Sequence, residues 1–262
     1  MISVLLTVYN EHESLIKRAL KSVIVQFPSG FGEVEILIID DGSDKKTNDF
    51  LYKFSGTVVD ELKKDNVQFK SYDKTIKVLT KENGGVASAL NYGIEKSSGD
   101  YIAWLPADDM WLYHKLYSQF KYCKDWIFGG SLDVVSPEYC RSYGEHYFNE
   151  IGVYSFFDWA TLRNKLKKVY EKFKLQTNII NGTTCLWKRS MHDKVGMFDE
   201  NLKYLNDLDM WVKFVYSDFK PSVFGDVVAI KQCLNKNEGG LNVQLNAERN
   251  TIYERMQKLQ KE

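Results

Sequence analysis

Acidic residues in this chain of 262 residues gather where the chain is expected to turn: Asp40-Asp41 ahead of Gly42-Ser43, Asp108-Asp109 after Pro106-Ala107, and Asp207 and Asp209 at the start of a helical pattern. An ionised aspartate only accepts hydrogen bonds, so Asp41 can receive the N3 hydrogen of uracil or thymine, a donor that cytosine lacks. Two adjacent carboxylates such as Asp108 and Asp109 repel each other, and a hard divalent cation relieves that repulsion while bridging diphosphate oxygens. Tyr9 can offer a ring face to a nucleobase, and Thr7 lies two residues earlier on the same side of an extended chain. Asn83-Gly84-Gly85 precedes a helical run, where free N–H groups and the helix dipole favour an anion or a polar sugar atom. Each piece also has a plain structural reading: a packed strand tyrosine, aspartates as turn formers, a helix cap, a proline-initiated surface turn, acids in a first helical turn.

The elements that would hold these residues alternate along the first half. Residues 2–9 form a β-rich run, followed by a helix with Leu15, Ile16, Ala19, Leu20, Val23 and Ile24 on one face. Glu35–Asp40 reads as a second strand, a helix follows near 45–54, and Ile76–Leu79 reads as a third strand. A helix carrying Val86, Ala89, Leu90, Gly93 and Ile94 leads to a strand over Asp100–Leu105. Continuous apolar strands alternating with amphipathic helices indicate a parallel sheet covered on both faces, whose ligand crevice lies at the carboxyl ends of the strands. The second half is less regular: a helix over Leu112–Cys123, a strand over Trp126–Val135, a helix over Leu162–Phe173, a strand-like Gly182–Trp187, a helix with Leu208, Trp211, Val212 and Val215, and a terminal helix with a stripe of Leu245, Ile252, Met256 and Leu259 expected to pack on the core.

Composition excludes several classes. Lys and Arg number 35 and so do Asp and Glu, so the formal net charge is zero and the broad basic field of a nucleic-acid binder is missing. Hydrophobic residues at 44%, with 17 Gly and 4 Pro, describe a globular chain rather than a fibrous or disordered one. No apolar run reaches the roughly 18 residues of a membrane span. The opening MISVLLTVYNEHE has no basic stretch and no small-residue cleavage site, which leads us to expect a cytoplasmic protein. Cys123, Cys140, Cys185 and Cys233 are widely spaced and read as buried thiols rather than a zinc site or disulfide framework.

Taken in order, SVLLTVYNE, ILIIDDGS, ENGGVASALNYGIEKSSGDYIAWLPADD and GMFDENLKYLNDLDMW resemble a family 2 glycosyltransferase of the GT-A fold. The resemblance implies an α/β, Rossmann-like, mostly parallel sheet flanked by helices, in a single domain with a C-terminal helical extension. Its parts would be a nucleotide-sugar-binding half at 1–110, an acceptor and catalytic-base half at 111–230, and the extension at 231–262. It further implies inverting transfer of a sugar from a nucleotide-sugar, with Thr7, Tyr9, Glu11, Asp41, Asn83, Gly85, Asp108 and Asp109 binding the donor. Asp109 would hold Mn²⁺ or Mg²⁺. An inverting transfer is a single displacement that needs one carboxylate to take the acceptor's proton. Asn206-Asp207 stands where the family carries an acidic pair, so the resemblance assigns that role to Asp207, whose place at a helix start would stabilise the ionised form, with Asp209 its rival.

Asp41 favours a UDP-sugar donor, with dTDP the other base that fits. The acceptor is expected to be a hydroxyl on a glycan, glycoconjugate or lipid-linked glycan. The sequence departs from the family pattern at Pro106, at Leu90 where Arg is common, with Lys81 a candidate replacement, and at Asn206. These departures motivate an alternative: a non-catalytic nucleotide- or carbohydrate-binding module on the same fold. A sugar-1-phosphate nucleotidyltransferase ranks lower, because its glycine-rich N-terminal loop with Arg and Lys is missing. Residues 163–174 carry six positive charges and one negative, so this helix could rest on an anionic membrane surface, or simply present a solvated basic face. Tyr147, Phe148, Tyr154, Phe156, Phe157 and Trp159 could stack on acceptor sugars or be core.

Overall fold

A computed structural model describes residues 1–26, 33–64, 76–136, 139–143, 159–172, 175, 178, 180–232 and 241–261. The cluster Tyr147, Phe148, Tyr154, Phe156 and Phe157, as well as Phe173, Lys174 and Cys233, lies outside these residues, as do the side chains of Trp159 and Cys140. Among the described residues the strands are β1 (Ile2–Val8), β2 (Val34–Asp40), β3 (Ile76–Thr80), β4 (Tyr101–Pro106), β5 (Met110–Trp111), β6 (Trp126–Ser136), β7 (Tyr139–Tyr143), β8 (Leu186–Lys188) and β9 (Pro221–Gln232). The helices are α1 (Glu13–Ile24), α2 (Lys45–Lys64), α3 (Gly85–Lys96), α4 (Lys115–Tyr122), α5 (Trp159–Lys172), α6 (His192–Val195), α7 (Asn206–Tyr216) and α8 (Leu241–Leu259).

One sheet runs in the order β3-β2-β1-β4-β8-β6-β9-β5, with β7 on the side of β6. The first four strands are parallel, and their register aligns the carboxyl ends: Val8 lies opposite Asp40, Asp40 opposite Thr80, and Thr7 opposite Pro106. Every turn that follows these strands therefore emerges on one edge of the sheet. Beyond β4 the pattern changes. β8 runs antiparallel to β4 and β6, whereas β6 and β9 are parallel to each other.

Helices cover both faces because the central strands are apolar on both. Val4, Leu6, Ile36 and Ile38 face one way, toward Ile16, Leu20 and Val23 of α1. Leu5, Leu37 and Ile39 face the other, toward Ala89, Leu90 and Ile94 of α3. Leu90, at 0% exposure, is thus a core residue, and a cation there would be buried. Trp211 on α7 stacks on Trp126 at 6.2 Å between ring centroids and meets Trp187 edge-on at 5.8 Å, which fixes α7 against β6 and β8.

Several elements differ from their expected form: α2 runs to Lys64 rather than ending near 54, and β9 stands where no strand was expected. The helix predicted from Leu112 begins at Lys115, because Met110–Trp111 pairs as a strand with β9 first. The strand predicted from Gly182 starts at Leu186, because the Asn181 side chain accepts the Thr183 N–H and winds residues 182–184 into a single 3₁₀ turn. Most of the terminal stripe is core-packed as expected: Ile252 and Met256 are buried and Leu259 is half-buried against the same core, whereas Leu245 is half-buried outside it. The basic helix likewise packs Leu162, Leu166 and Tyr170 inward. Its Arg163 reaches Asp218 at 3.4 Å and its Lys167 lies over the Tyr216 ring.

Candidate active site

A cleft of about 390 Å³ opens at the carboxyl edge of the parallel strands. Thr7, Tyr9, Glu11, Asp41, Asp108, Asp109 and Asp207 all line it, together with Trp104, Asn181, Gly182, Thr183 and Lys231. Asn83 and Gly85 are not among the lining residues.

The two aspartates after β2 divide their work. Asp40 is fully buried and accepts from the Ser43 N–H at 3.0 Å and the Asn48 amide at 2.7 Å, so it builds the turn. Asp41 reaches the cleft, and its carboxylate is caged by Lys81 Nζ at 2.8 Å, Gly84 N–H at 3.1 Å, Gly85 N–H at 2.8 Å and the Asn83 amide at 3.2 Å. This corrects the expectation of free N–H groups at the start of α3: an anion does sit on that helix N-terminus, but it is Asp41 itself. Lys81 is likewise committed to Asp41 and to the Glu82 carbonyl. Gly42 makes the close approach possible. Its φ is +73°, and a Cβ there would lie 2.6 Å from the Asn83 nitrogen.

Thr7 and Trp104 form the floor, with the indole N–H donating to the Thr7 hydroxyl at 3.1 Å. Asn10, at φ 52°, turns the chain sharply after Tyr9, and Tyr9 is 51% exposed at the rim. The Asp108-Asp109 turn is held by the Asp109 N–H to Pro106 O at 3.1 Å and by Arg18 donating to the Asp108 carbonyl at 2.5 Å. Among the described residues no three His, Cys, Asp or Glu side chains come together as a metal cage. Two carboxylates do suit Mg²⁺ or Mn²⁺ held jointly with substrate phosphates, since such ions commonly use one or two protein carboxylates and keep their other positions for phosphate and water.

Asp207, in the first turn of α7, lines the same cleft. Its carboxylate accepts from the Leu208 N–H at 2.7 Å and from the Asn178 amide at 2.8 Å. Burial pushes the Asp207 carboxyl above the usual carboxylate range; the Leu208 N–H, the charge of Lys231 and the Asn178 hydrogen bond pull it back without reversing the direction. The helix start was expected to set this group's ionisation, and desolvation outweighs it. Asp209 points away from the cleft: it is 0% exposed, 2.9 Å from Lys213 and hydrogen-bonded by Arg255.

Several residues here carry no sequence signal. Lys231 comes from β9 and is the cation among the described residues that line the cleft. Asn178 reaches Asp207 from a segment without a motif. Asn181, Gly182 and Thr183 form a wall whose following carbonyls are clamped from below: Trp111 donates to Thr183 O at 2.9 Å, Gln119 to Thr184 O at 2.7 Å and Lys115 to Cys185 O at 3.2 Å. Lys115 is 0% exposed and lies over the Trp111 ring, and burial pushes its ammonium down to about 7. Cys123 and Cys185 are both free thiols; burial pushes Cys123 up to about 12 and Cys185 higher still.

The sequence profile described as glycosyl transferase family 2 matches residues 3–196. A protein of Rickettsia typhi named as an uncharacterized glycosyltransferase is 30% identical over 220 residues, covering 82% of this chain and 58% of its own. One of Methanocaldococcus jannaschii, named likewise, is 24% identical over 238 residues, covering 84% and 66%. The chain thus spans 58% of the length of the Rickettsia typhi relative. Among solved structures, S. aureus TarS 1–349 in complex with UDP superposes with a TM-score of 0.60 at 17% identity, over 88% of this chain and 60% of that one. The mannosyltransferase PcManGT of Pyrobaculum calidifontis, in complex with GDP-Man and Mn²⁺, superposes with a TM-score of 0.60 at 18% identity, over 93% and 60%. The fold is the GT-A fold of these neighbours. Among the described residues no helix is long and apolar enough to cross a membrane.

Proposed function

The chain belongs to glycosyl transferase family 2, and from that premise we propose that it moves a sugar from a UDP-sugar to a hydroxyl of a glycan or lipid-linked glycan, with inversion and with a divalent metal. One observation carries the reading: Tyr9, Asp41, Asp108, Asp109 and Asp207 all line a single cleft. In this reading the uracil stacks on Tyr9 and gives its N3 hydrogen to Asp41, displacing one of the four donors already on that carboxylate. Asn83 and Gly85 act at one remove, since their hydrogen bonds fix the Asp41 carboxylate. Asp109, with Asp108 beside it, holds the Mn²⁺ or Mg²⁺, which when bound neutralises charge on the diphosphate.

Asp207 accepts the proton of the acceptor hydroxyl as that oxygen attacks the anomeric carbon from the face opposite the leaving group. A carboxyl pushed up by burial is a stronger base, closer to neutral pH, than an ordinary surface aspartate, which suits this task. Lys231 shares the cleft with Asp207 and meets the diphosphate as its negative charge grows, an interaction that strengthens toward the transition state. It fills the cationic role that Leu90 cannot, because Leu90 is in the core.

Thermal-shift measurements with UDP, dTDP, GDP and CMP, each with and without Mn²⁺, test the donor side. Stabilisation by UDP that deepens with Mn²⁺ is expected. Stabilisation by GDP alone overturns the uracil assignment.

A further inference from the structure

Helix α8 lies beyond the span of the family profile, which ends at residue 196. Its inward face carries Glu248, Ile252, Arg255 and Met256, spaced as one helical stripe. Ile252 and Met256 are buried in the core. Two charges on the same face cost desolvation unless they are fully matched. Glu248, only 6% exposed, accepts three consecutive backbone N–H groups, those of Lys203 at 2.9 Å, Tyr204 at 3.0 Å and Leu205 at 2.9 Å. Leu205 caps α7, so this single carboxylate satisfies the chain that enters the helix and places a negative charge at its positive end. Seven residues on, Arg255 donates to Asp209 and, at 2.9 Å, to Asp199. The two grips land at 203–205 and at 209, on either side of Asp207.

We propose that α8 is a brace for the catalytic base: Glu248 and Arg255 are positioning residues that set where Asp207 stands in the cleft and keep its carboxylate on the Asn178 amide. The proposal rests on Asp207 being the base. Neither residue lines the cleft, so neither touches substrate. Their effect passes through the first turn of α7, where misplacement of a reacting group by about 1 Å can cost as much as a hundredfold in rate.

The test compares Glu248→Gln, Arg255→Met and Arg255→Lys with Ile252→Ala, which loosens the packing of α8 without touching either grip. The brace predicts that Glu248→Gln and Arg255→Met lower kcat for nucleotide-sugar turnover about tenfold or more, leave the Kd for UDP within about twofold, and move the acidic limb of the pH profile upward as the Asn178 hydrogen bond is lost. Arg255→Lys should recover most of the rate. Ile252→Ala should lower Tm while leaving the acidic limb in place. An unchanged kcat in both grip variants overturns the proposal, as does an Ile252→Ala variant that moves the limb equally far. A wild type that turns over no nucleotide-sugar refutes the functional reading instead, and hydrogen exchange over residues 203–209 then decides the brace. Protection lost in Glu248→Gln and Arg255→Met but kept in Ile252→Ala supports it, and equal protection in all of them overturns it.

Discussion

Asn178→Leu separates the ionisation of Asp207 from its placement. The Asn178 amide donates to Asp207 at 2.8 Å inside a desolvated site and lowers a carboxyl that burial has raised. A hydrogen bond to a charged acceptor contributes about 1.5–3 kcal/mol, and 1.36 kcal/mol corresponds to one pH unit of titration. Removing the donor should therefore displace the acidic limb of kcat upward by about one to two pH units. The sign follows from the role: the base works deprotonated, and a higher pKa protonates it over more of the acidic range. Steady-state release of UDP, followed from about pH 5.5 to 9, should show a fall of about ten- to a hundredfold on the acidic side and a plateau within about twofold of wild type at high pH. A uniform loss at every pH would show that Asn178 only shapes the wall. An unmoved limb would refute the account of Asp207 ionisation altogether.

Four further outcomes follow from the same geometry. Lys231→Met should weaken UDP binding about tenfold or more while leaving uridine binding unchanged, as titration calorimetry would show, because uridine lacks the diphosphate that this cation is proposed to meet. Asp109→Asn should abolish the extra thermal stabilisation that Mn²⁺ adds to UDP and leave UDP alone nearly as effective. Gly182→Ala puts a methyl group 2.1 Å from the Trp104 ring, so it should cost about 1–3 kcal/mol in denaturant unfolding and slow turnover by moving the cleft floor. Lys115 is driven down to about 7 in the folded protein. From there up to its ordinary range the unfolded chain binds more protons, so stability should rise with pH. Urea unfolding at about pH 7 and 9 should show wild type gaining about 2 kcal/mol over Lys115→Met across that interval, and parallel behaviour would contradict the burial of a strained ammonium.

Legibility in the sequence tracks how local each signal is. Strands such as ILIID are apolar on both faces and stop at a polar turn, so the parallel half and its carboxyl-edge cleft can be read from a few adjacent residues. Asp108 and Asp109 follow directly from such a strand end. Lys231 and Asn178 could not be found this way: each reaches the cleft only because β9 and the segment before the 3₁₀ turn are brought to the sheet by distant pairings. The N–H groups ahead of α3 illustrate the reverse error. Asn83-Gly84-Gly85 correctly marks a helix N-terminus that holds an anion, but the anion comes from residue 41 of the same chain. Asp207 shows why a helix position alone misjudges a titrating group: burial, invisible in the local pattern, outweighs the dipole.

The central claim is that this cleft binds a nucleotide-sugar and that Asp207 drives its transfer. Release of UDP from UDP-sugars in the presence of Mn²⁺ and an acceptor panel, measured for wild type and Asp207→Asn alongside UDP binding, tests it most directly. The account predicts turnover by wild type, and an Asp207→Asn variant that binds UDP normally but loses on the order of a thousandfold or more in rate. Full turnover by Asp207→Asn, or a wild type that binds UDP yet turns over nothing across the panel, as a binding module would, contradicts it.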